Sequence, residues 1–497
     1  MRNLSKSKLM AYRQCPKRLW LEIHKPELKE ESEATQASFS IGYQVGDIAR
    51  KLYDPEGSGN LVDIDTLGFP GVFAATGEFL KEHHPIFEAS FQAKGALALA
   101  DVLLPLDNDS SAWRMVEVKS STSVKDIHHD DIAVQAFIAQ SSGLNLVSVS
   151  LAHIDSSWTY PGGGDYRGLL NEVDLSAEAL TRGEEVQGWI TGAQGIAARK
   201  SEPPAKIGAH CDNPYPCGFY DYCSKDEPKV EMPIQWLPRL HCNSWLENGI
   251  HDLRQIQPDL LDPIQQRVQD CTIRGKEFFD RVGAAKYLQP HALPGYFLDF
   301  ETIQFAVPIW GGTRPYEQIP FQFSLHHLSA DGLLRQEAFL DLSGKDPSRP
   351  FAEKLVAVCG SKGPVFVYNA SFEKTRIAEL GKRFPDLSKK LLAINDRVVD
   401  LLPIARNHYY HPSQQGSWSI KAVLPAAVPE LSYENLEGVQ NGGMAMEAYL
   451  EAIHPGTPVD RKAEIEKQLL AYCGLDTYAM VRLWQVFSSS LSGFAGQ

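Results

Sequence analysis

Two carboxylates and a lysine lie close together in the first half of the sequence, on two apolar stretches that read as adjacent strands. Glu117 and Lys119 are two positions apart, so on a strand their side chains point to the same face. Asp101 interrupts the preceding apolar run, where an unpaired charge is costly. Carboxylates bind a hard cation, which activates water, and a lysine stabilises developing negative charge. The three residues therefore predict a metal-dependent hydrolytic site.

Gln135 is a further candidate for the same site. It lies on the apolar face of a helix predicted over 130–141, where its amide could bond a phosphate or a water. The alternative for Glu117 and Lys119 alone is a solvated ion pair on an edge strand. Their apolar neighbours and the interrupting Asp101 favour the site.

Four carboxylates and a tyrosine in the second half form another set. Asp299 and Glu301 share a face at the end of a predicted buried strand, and Glu373 opens a helix that follows another strand. Tyr472 and Asp476 are four positions apart, which places them on one face of a helix. The acids could form a cage for two Mg²⁺ or Mn²⁺ ions about 3.5–4 Å apart. Tyr472 could then position or deprotonate the attacking water.

Two weaker candidates lie between these motifs. Asp400 ends a predicted strand, and the segment 409–421 places aromatic residues beside Lys421. Such aromatics could stack on nucleic-acid bases, and packing within a loop explains them equally well.

Four of the eight cysteines suggest a metal-binding group. Cys211, Cys217 and Cys223 fall within thirteen residues, and Cys15 lies near the N-terminus. Four thiolates match either a cubane iron–sulfur cluster or a zinc site, and the alternative is free cysteines in the core. A shared group would join the two ends of one domain.

The elements that must position these residues follow from the hydrophobic pattern and indicate an α/β protein. In the first half we predict helices at 5–24, 37–52, 130–141 and 176–200, and strands at 71–88, 96–105, 112–120 and 144–153, with a turn at 107–111. In the second half we predict strands at 296–300, 321–328, 337–342 and 364–368, and helices at 348–360, 372–383 and 462–487. The resulting domains are 1–225 and 293–497, with a helical connector over 226–292.

Bulk composition narrows the class of protein. A chain of 497 residues has room for two to four domains. The net charge of −14 argues against a protein that simply coats nucleic acid, although a local basic groove remains compatible with it. No apolar run reaches the roughly 18 residues of a membrane span, and the basic, polar start is not typical of a signal peptide. We therefore expect a cytoplasmic protein.

Residues 1–225 resemble the iron–sulfur branch of the PD-(D/E)XK nuclease superfamily, which includes RecB-like CRISPR-associated exonucleases and AddB-type nuclease domains. The resemblance rests on Asp101, the Glu117-x-Lys119 pair, Gln135 and the four cysteines Cys15, Cys211, Cys217 and Cys223. It implies a restriction-endonuclease-like core, a catalytic metal on Asp101 and Glu117, and a 4Fe–4S cluster on the cysteines. Two features depart from the family. The stretch 39–47 lacks the usual metal-binding histidine, and Ala139 stands where a Gln-x3-Tyr motif has tyrosine.

Residues 293–497 resemble the DnaQ-like (DEDD) exonucleases of the ribonuclease-H-like fold. Asp299-x-Glu301 is similar to their first motif, the stretch 369–373 to the second, and Tyr472-x3-Asp476 to the tyrosine-type third. The departure is Glu373, where aspartate is usual. The resemblance implies a mixed sheet with flanking helices.

Together the two resemblances imply an exonuclease that depends on Mg²⁺ or Mn²⁺ and acts on DNA, with RNA as the alternative substrate, on single strands or free ends. By analogy its role would be DNA repair or defence against foreign DNA. The rival hypothesis is an inactive nucleic-acid-binding or scaffold protein that retains nuclease folds. The missing histidine and Glu373 favour that rival.

Overall fold

The computed structural model describes residues 3–30, 33–106, 109–225 and 229–489. The predicted turn at 107–111 lies partly outside these residues. Within them, none of the helices is both long enough and apolar enough for a membrane span.

The chain divides into two compact units, each a mixed α/β structure. Unit 1 comprises Met1–Pro228 and Phe305–Tyr316, and unit 2 comprises Lys229–Gln304 and Glu317–Gln497. Most of the segment predicted as a connector, 226–292, thus belongs to unit 2. The segment 305–316 leaves a hairpin of unit 2 and packs as part of unit 1.

Unit 1 contains eight helices and seven strands among the residues described. The helices are α1 (Lys6–Gln14), α2 (Pro16–His24), α3 (Glu33–Tyr53), α4 (Ile64–Phe79), α5 (Asp126–Ser141), α6 (Ser176–Ala179), α7 (Gly183–Ala197) and α8 (Tyr220–Ser224). The strands are β1 (Leu4–Ser5), β2 (Asn60–Leu61), β3 (Ile86–Ala93), β4 (Ala96–Leu106), β5 (Asp109–Lys119), β6 (Leu146–Ile154) and β7 (Leu170–Asp174).

The seven strands form one mixed sheet in the order β2-β3-β4-β5-β6-β7, with β1 paired to β4. The neighbours β3, β4 and β5 run antiparallel, whereas β6 is parallel to β5. The crossover from β5 to β6 is α5, whose apolar residues Ile132, Val134 and Ile138 belong to the main core of the unit. One side of α5 is therefore fixed against the strands that carry Asp101 and Glu117.

The strand predicted over 71–88 is wrong for most of its length. Helix α4 occupies Ile64–Phe79, and only the end of the segment enters β3. The buried residues of α4, Val72 and Thr76, are four positions apart, which is helical spacing. Gly68, whose backbone is not helical, and Pro70 mark a kink inside the helix.

Unit 2 contains ten helices and seven strands in the described part of the chain. The helices are α9 (Cys242–Glu247), α10 (Pro263–Arg274), α11 (Arg281–Leu288), α12 (Ser348–Val358), α13 (Ser371–Arg383), α14 (Pro385–Asn395), α15 (Leu402–His408), α16 (Ile420–Ala427), α17 (Gly442–Ile453) and α18 (Val459–Ser488). The strands are β8 (Phe278–Phe279), β9 (Gly295–Ile303), β10 (Ile319–Leu328), β11 (Leu334–Leu340), β12 (Val365–Val367), β13 (Val398–Asp400) and β14 (Tyr409–Tyr410).

Five strands of unit 2 form a mixed sheet in the order β11-β10-β9-β12-β13. Strand β10 runs antiparallel to both neighbours, and β9, β12 and β13 are parallel. The carboxyl ends of β9 and β12 therefore meet at one edge of the sheet. Helix α18 packs against β9 and β10. Strands β8 and β14 form a separate antiparallel pair.

Candidate active sites

In unit 1 the hairpin of β4 and β5 brings Asp101 beside the Glu-x-Lys pair. Regular pairing of the hairpin ends at Val102 and Val116. Beyond that point the Asp101 carboxylate accepts a hydrogen bond from the main-chain N of Val118, at 2.7 Å. Asp101 is thus held next to Glu117, and burial, together with the charge of Glu117, raises its pKa well above the ordinary value.

Glu117 is 1% exposed and lies at the centre of the unit-1 site. Its Oε1 accepts from Lys119 Nζ at 2.6 Å and from Lys6 Nζ at 2.8 Å, and its Oε2 accepts from Gln135 Nε2 at 2.6 Å. Burial alone would raise the pKa of this carboxyl, but the two ammonium groups and their hydrogen bonds hold it below the usual range. The predicted residues Glu117, Lys119 and Gln135 are therefore in direct contact.

Lys6 and Asp131 belong to the same network, and the sequence reasoning missed both. Lys119 Nζ lies 2.6 Å from Asp131 Oδ2, and Lys6 Nζ lies 3.2 Å from Asp131 Oδ1. Although burial opposes it, the charges of Asp131 and Glu117 raise the pKa of both lysines. Two carboxylates and two ammonium groups thus balance in charge. The position of Asp131 one turn before Gln135 on α5 was a usable signal, whereas Lys6 is remote in sequence.

Glu88 is the third missed residue of the unit-1 site. It lies in β3 between the pairs Phe87–Val102 and Ala89–Ala100, which places it opposite Asp101. Its φ of 58° is in the left-handed region that a glutamate adopts only at a cost. Burial and the charge of Glu117 raise its pKa, and Arg50 only partly offsets them. Glu88 and Asp101 are therefore partly buried acids whose raised pKa values the lysines do not offset.

In unit 2 three of the predicted acids come together. One oxygen each of Asp299, Glu301 and Asp476 lies within 4.8 Å of the others, which among the described residues makes this the one set of three metal-ligating side chains so close together. Asp299 and Glu301 come from one face of β9, opposite Ser324 and Gln322 of β10. Asp476 comes from α18, which crosses that face.

The electrostatics of this set differ from those of unit 1. Burial and the charge of Asp476 raise the pKa of Glu301 to about 8. Burial raises the pKa of Asp476 to about 6, although hydrogen bonds and Lys421 oppose the shift. Burial and the three neighbouring acids raise the pKa of Asp299 well above its usual value. Within the part of the chain that is described, none of the three forms an ion pair with a lysine or arginine.

Two tyrosines and a lysine flank Asp476. The Tyr433 hydroxyl donates to Asp476 Oδ1 at 2.5 Å, and Tyr472 also hydrogen-bonds this carboxylate. Burial and the charge of Asp476 raise the pKa of both phenols. The two roles predicted for Tyr472, positioning and deprotonating the attacking water, both stay predictions. Tyr433 was missed, because it lies in a short 3₁₀ turn without a motif.

Glu373 lies at the start of α13, buried but outside the close set of three. It is 2% exposed, its Oε2 has no hydrogen-bond partner among the described residues, and burial raises its pKa to about 8. Its charge is one of those that raise the pKa of Asp299, so it lies near that acid.

Asp400 has a structural role. Its carboxylate accepts from the main-chain N atoms of Asn369, Ala370 and Leu402 at 2.9–3.0 Å. These bonds hold the turn between β12 and α13, in which Asn369 has a φ of 76°. Asp400 therefore shapes the loop that presents Glu373.

The aromatic residues of 409–421 pack inside unit 2. Tyr409, Tyr410 and Trp418 are at most 6% exposed, and Trp418 Nε1 donates to the carbonyl oxygen of Tyr409 at 2.9 Å. They are not available to stack on bases. Lys421, at the end of the segment, lies over the rings of Tyr472 and Tyr433, with Nζ 4.9 and 5.3 Å from the ring centroids.

All four predicted cysteines line one cavity of unit 1. Cys15 lies between α1 and α2, Cys211 and Cys217 lie in the late loop, and Cys223 lies in α8. The loop is held to the N-terminal helices by Gln14, whose Nε2 donates to the carbonyl oxygens of His210 and Tyr215 at 2.8 Å. The two ends of the unit therefore meet at this cavity.

The distances between the thiol sulfurs limit the kind of metal group that the four cysteines could bind together. No three of the four sulfur atoms lie within 4.8 Å of one another. A single tetrahedral zinc ion, with bonds of about 2.3 Å, needs thiolates about 3.8 Å apart. The basic side chains Lys17, Arg18 and Lys206 also line the cavity, together with His210. Burial raises the pKa of Cys211 and Cys223, and the neighbouring thiols add to the shift.

Comparison with known proteins gives a family without an assigned activity. Residues 296–419 match the family described as Domain of unknown function (DUF2779). This range spans β9 to the start of α16, so it contains Asp299, Glu301 and Glu373 but not Tyr472 or Asp476.

Curated relatives and a solved structure are similar over parts of the chain. The uncharacterized protein MG366 of Mycoplasma genitalium is 26% identical over 209 residues, and its homolog from Mycoplasma pneumoniae is 28% identical over 206 residues. Each match covers 38% of this chain and 31% of the relative, so the chain spans about a third of the curated relatives it matches. The crystal structure of SSO0001 aligns over 40% of this chain and 78% of its own, with 14% identity and a TM-score of 0.22, which supports no argument.

Proposed function

We propose that this chain is a nuclease that depends on Mg²⁺ or Mn²⁺ and hydrolyses phosphodiester bonds. The observation that carries the proposal is the convergence of Asp299, Glu301 and Asp476 without a lysine or arginine ion-pair partner among the described residues. Glu301 and Asp476 are buried, and Asp299 is partly buried. Buried carboxylates are costly unless a cation compensates them. Their oxygen ligands are those that Mg²⁺ and Mn²⁺ prefer.

The residues of the unit-2 site have different proposed roles. Asp299, Glu301 and Asp476 would hold the metal, and the partnerless Oε2 of Glu373 makes that residue the candidate for a second ion. A divalent ion held there would supply an activated water and neutralise charge on the phosphate. Tyr472, which hydrogen-bonds Asp476, would position or deprotonate the attacking water. A ribonuclease-H-like, DnaQ-type exonuclease domain accounts for this mixed sheet and its three motifs.

The residues of unit 1 support a second nuclease site of the PD-(D/E)XK type. Asp101 and Glu117 would hold the metal. Glu88 lies opposite Asp101, and we propose that it moves towards the ion when metal binds, because the three carboxylates do not come within 4.8 Å of one another in the structure. Lys119 stabilises negative charge on the reacting phosphate, and Gln135 fixes the rotamer of Glu117. Gln135 Oε1 is buried without a partner among the described residues, which leaves an acceptor at the site.

We assign the four cysteines to a 4Fe–4S cluster rather than to zinc. In a cubane cluster each thiolate binds a different iron atom, so the sulfurs stand farther apart than around one zinc ion. The convergence of the four cysteines on one cavity that Lys17, Arg18 and Lys206 also line supports such an anionic group. Anaerobic purification should give a brown protein that absorbs near roughly 400 nm. Stoichiometric zinc without iron would contradict the assignment.

DNA is the substrate we propose, as single strands or free ends, with RNA as the alternative, in DNA repair or in defence against foreign DNA in the cytoplasm. The test is cleavage of end-labelled single-stranded DNA and RNA in Mg²⁺, in Mn²⁺ and in EDTA. Glu117→Gln and Asp299→Asn each silence one site, and the double variant silences both. We expect the double variant to lose about 100-fold or more in rate, the scale for losing groups that stabilise transition-state charge.

The single variants assign the activity. If Asp299→Asn removes the exonucleolytic products and Glu117→Gln does not, the unit-2 site is the exonuclease. A matched control is Glu447→Gln, which changes an exposed glutamate of α17. Activity that survives in the double variant would show contamination. A wild-type chain that binds DNA but never cuts it would instead support the rival hypothesis of an inactive binding protein.

A further inference from the structure

We propose that Lys421 binds a phosphate of the substrate at the unit-2 site and that Tyr433 positions Asp476 for metal binding. The inference rests on the proposed nuclease function and names two residues outside the motifs that suggested it. Lys421 is a candidate for contact with substrate, whereas Tyr433 acts only through Asp476.

The first observation is the way Lys421 is held. Its Nζ donates to the carbonyl oxygen of Gln440 at 2.8 Å and lies over the rings of Tyr472 and Tyr433. No carboxylate among the described residues lies within ion-pair distance, yet the lysine is close enough to lower the pKa of Glu301 and Asp476. The ammonium thus lies near Glu301 and Asp476 and keeps hydrogen-bonding capacity.

The second observation is that the chain before Lys421 is anchored to the sheet. The Tyr368 hydroxyl, next to the turn of Asn369, donates to the carbonyl oxygen of Trp418 at 2.8 Å. Trp418 is buried and bonded to Tyr409. Helix α16 begins two residues later, so Lys421 sits in its first turn. Rigid support of this kind is typical of a residue whose position matters to a ligand.

The chemistry of the surroundings identifies the ligand. An ammonium in the first turn of a helix is unfavourable for the helix itself, because the helix dipole is positive there. Both the dipole and the ammonium favour an anion at this point. A phosphate that reaches the acids comes within range of Lys421, which would provide a charge-assisted hydrogen bond. The three acids without a bound cation would repel the same phosphate, so substrate should follow metal.

Tyr433 has a different role. Its hydroxyl bond to Oδ1 fixes the rotamer of Asp476 and leaves Oδ2 for other partners. Bonds of this kind commonly orient metal-ligating carboxylates, and their loss costs about 10–100-fold in affinity or activity. The Tyr433→Phe variant should therefore weaken Mn²⁺ binding about 10-fold, by the same scale.

The experiment compares Lys421→Met with Lys421→Arg, both in a Glu117→Gln background that leaves the unit-2 site alone active. Lys421→Met should raise KM for single-stranded DNA about 10-fold, as expected for a lost charge-assisted bond. The slope of log kcat/KM against log salt should become less negative by about 0.7, the value for one phosphate contact on a single strand. Lys421→Arg should restore both. The control is Lys390→Met, an exposed lysine of α14.

Mn²⁺ affinity separates this role from a structural one. Removing a positive charge beside the acids should leave Mn²⁺ binding at pH above 8 unchanged or a few-fold tighter, while DNA binding weakens. A collapsed site would weaken both. The inference on Lys421 fails if KM and the salt slope of Lys421→Met equal those of Lys390→Met in a chain that cleaves DNA. If the parent chain cleaves no nucleic acid, it is the proposed nuclease function that fails.

Discussion

The two candidate sites gather similar carboxylates but balance their charge in opposite ways. In unit 1, Glu117 and Asp131 share Lys6 and Lys119, and the pKa of Glu117 is held low. In unit 2, Asp299, Glu301 and Asp476 have no such partner among the described residues, and their pKa values are raised. The first site carries its own counter-charges, whereas the second depends on a cation from solution.

Because their charges are balanced differently, the two sites should respond differently when a charged side chain is removed. Removing a lysine from unit 1 leaves buried carboxylates uncompensated, so it should destabilise the fold. Removing a carboxylate from unit 2 relieves repulsion, so it should stabilise the metal-free fold. Each of the following changes either sharpens this contrast or removes it.

The largest expected effect is that of Lys119→Met. The substitution leaves Glu117 and Asp131 with only Lys6, and breaking a buried ion pair in this way costs about 3 kcal/mol or more. Hydrogen exchange of the peptides that cover β5 and α5 measures the local free energy of opening. The control is Lys51→Met, which changes an exposed lysine of α3. Equal protection from hydrogen exchange in the two variants would mean that Lys119 does not stabilise unit 1. The two sites would then not differ in how they balance their charge.

How far the sequence predicts these sites depends on where the residues lie along the chain. Glu117 with Lys119, and Asp299 with Glu301, are visible because two residues apart on a strand share a face, and the structure places both pairs as expected. Asp476 is visible through its helical spacing from Tyr472. Strands β4, β5 and β6 of unit 1 and strands β9 to β12 of unit 2 follow from their apolar runs, whereas β3 does not.

The missing residues come from positions that local patterns do not mark. Lys6 enters the unit-1 site from the N-terminus, and Tyr433 enters the unit-2 site from a turn. Glu88 takes part because of a backbone conformation that periodicity cannot reveal. The opposite charge balance of the two sites depends on these contacts between distant residues. The sequence alone therefore could not predict it.

The next effect is the pH dependence of unit 2 without metal. Glu301 and Glu373 have a pKa of about 8 in the folded state, whereas an unfolded glutamate titrates near 4.3. Between these two pKa values the folded state thus binds more protons than the unfolded state. The stability that this difference contributes is fully present below about pH 4.3 and is lost as the pH rises towards 8. We therefore expect the stability of metal-free unit 2 to fall between pH 5 and 8 in EDTA.

The measurement is hydrogen exchange of the β9 and β10 peptides across this pH range. Glu301→Gln should flatten the curve and stabilise the metal-free unit near pH 8, whereas Glu447→Gln should leave it unchanged. At high pH, Mn²⁺ should restore the stability of the wild-type chain and have little effect on the stability of the Glu301→Gln variant. A stability that rises with pH in EDTA would mean that the acids are already compensated, as they are in unit 1.

The smallest effect concerns Glu88 and Asp101 of unit 1. Like the acids of the unit-2 site, they have raised pKa values that the lysines do not offset. Glu88→Gly and Glu88→Ala both remove the carboxylate, but only glycine adopts a φ of 58° without strain. The glycine variant should therefore be more stable than the alanine variant by about 1 kcal/mol. Both should bind Mn²⁺ at unit 1 equally weakly, measured in an Asp299→Asn background. Glu88 would then be a residue whose strained backbone is retained for metal binding. If Mn²⁺ affinity instead followed stability across the two variants, Glu88 would be a structural residue, and unit 1 would rely on Asp101 and Glu117 alone.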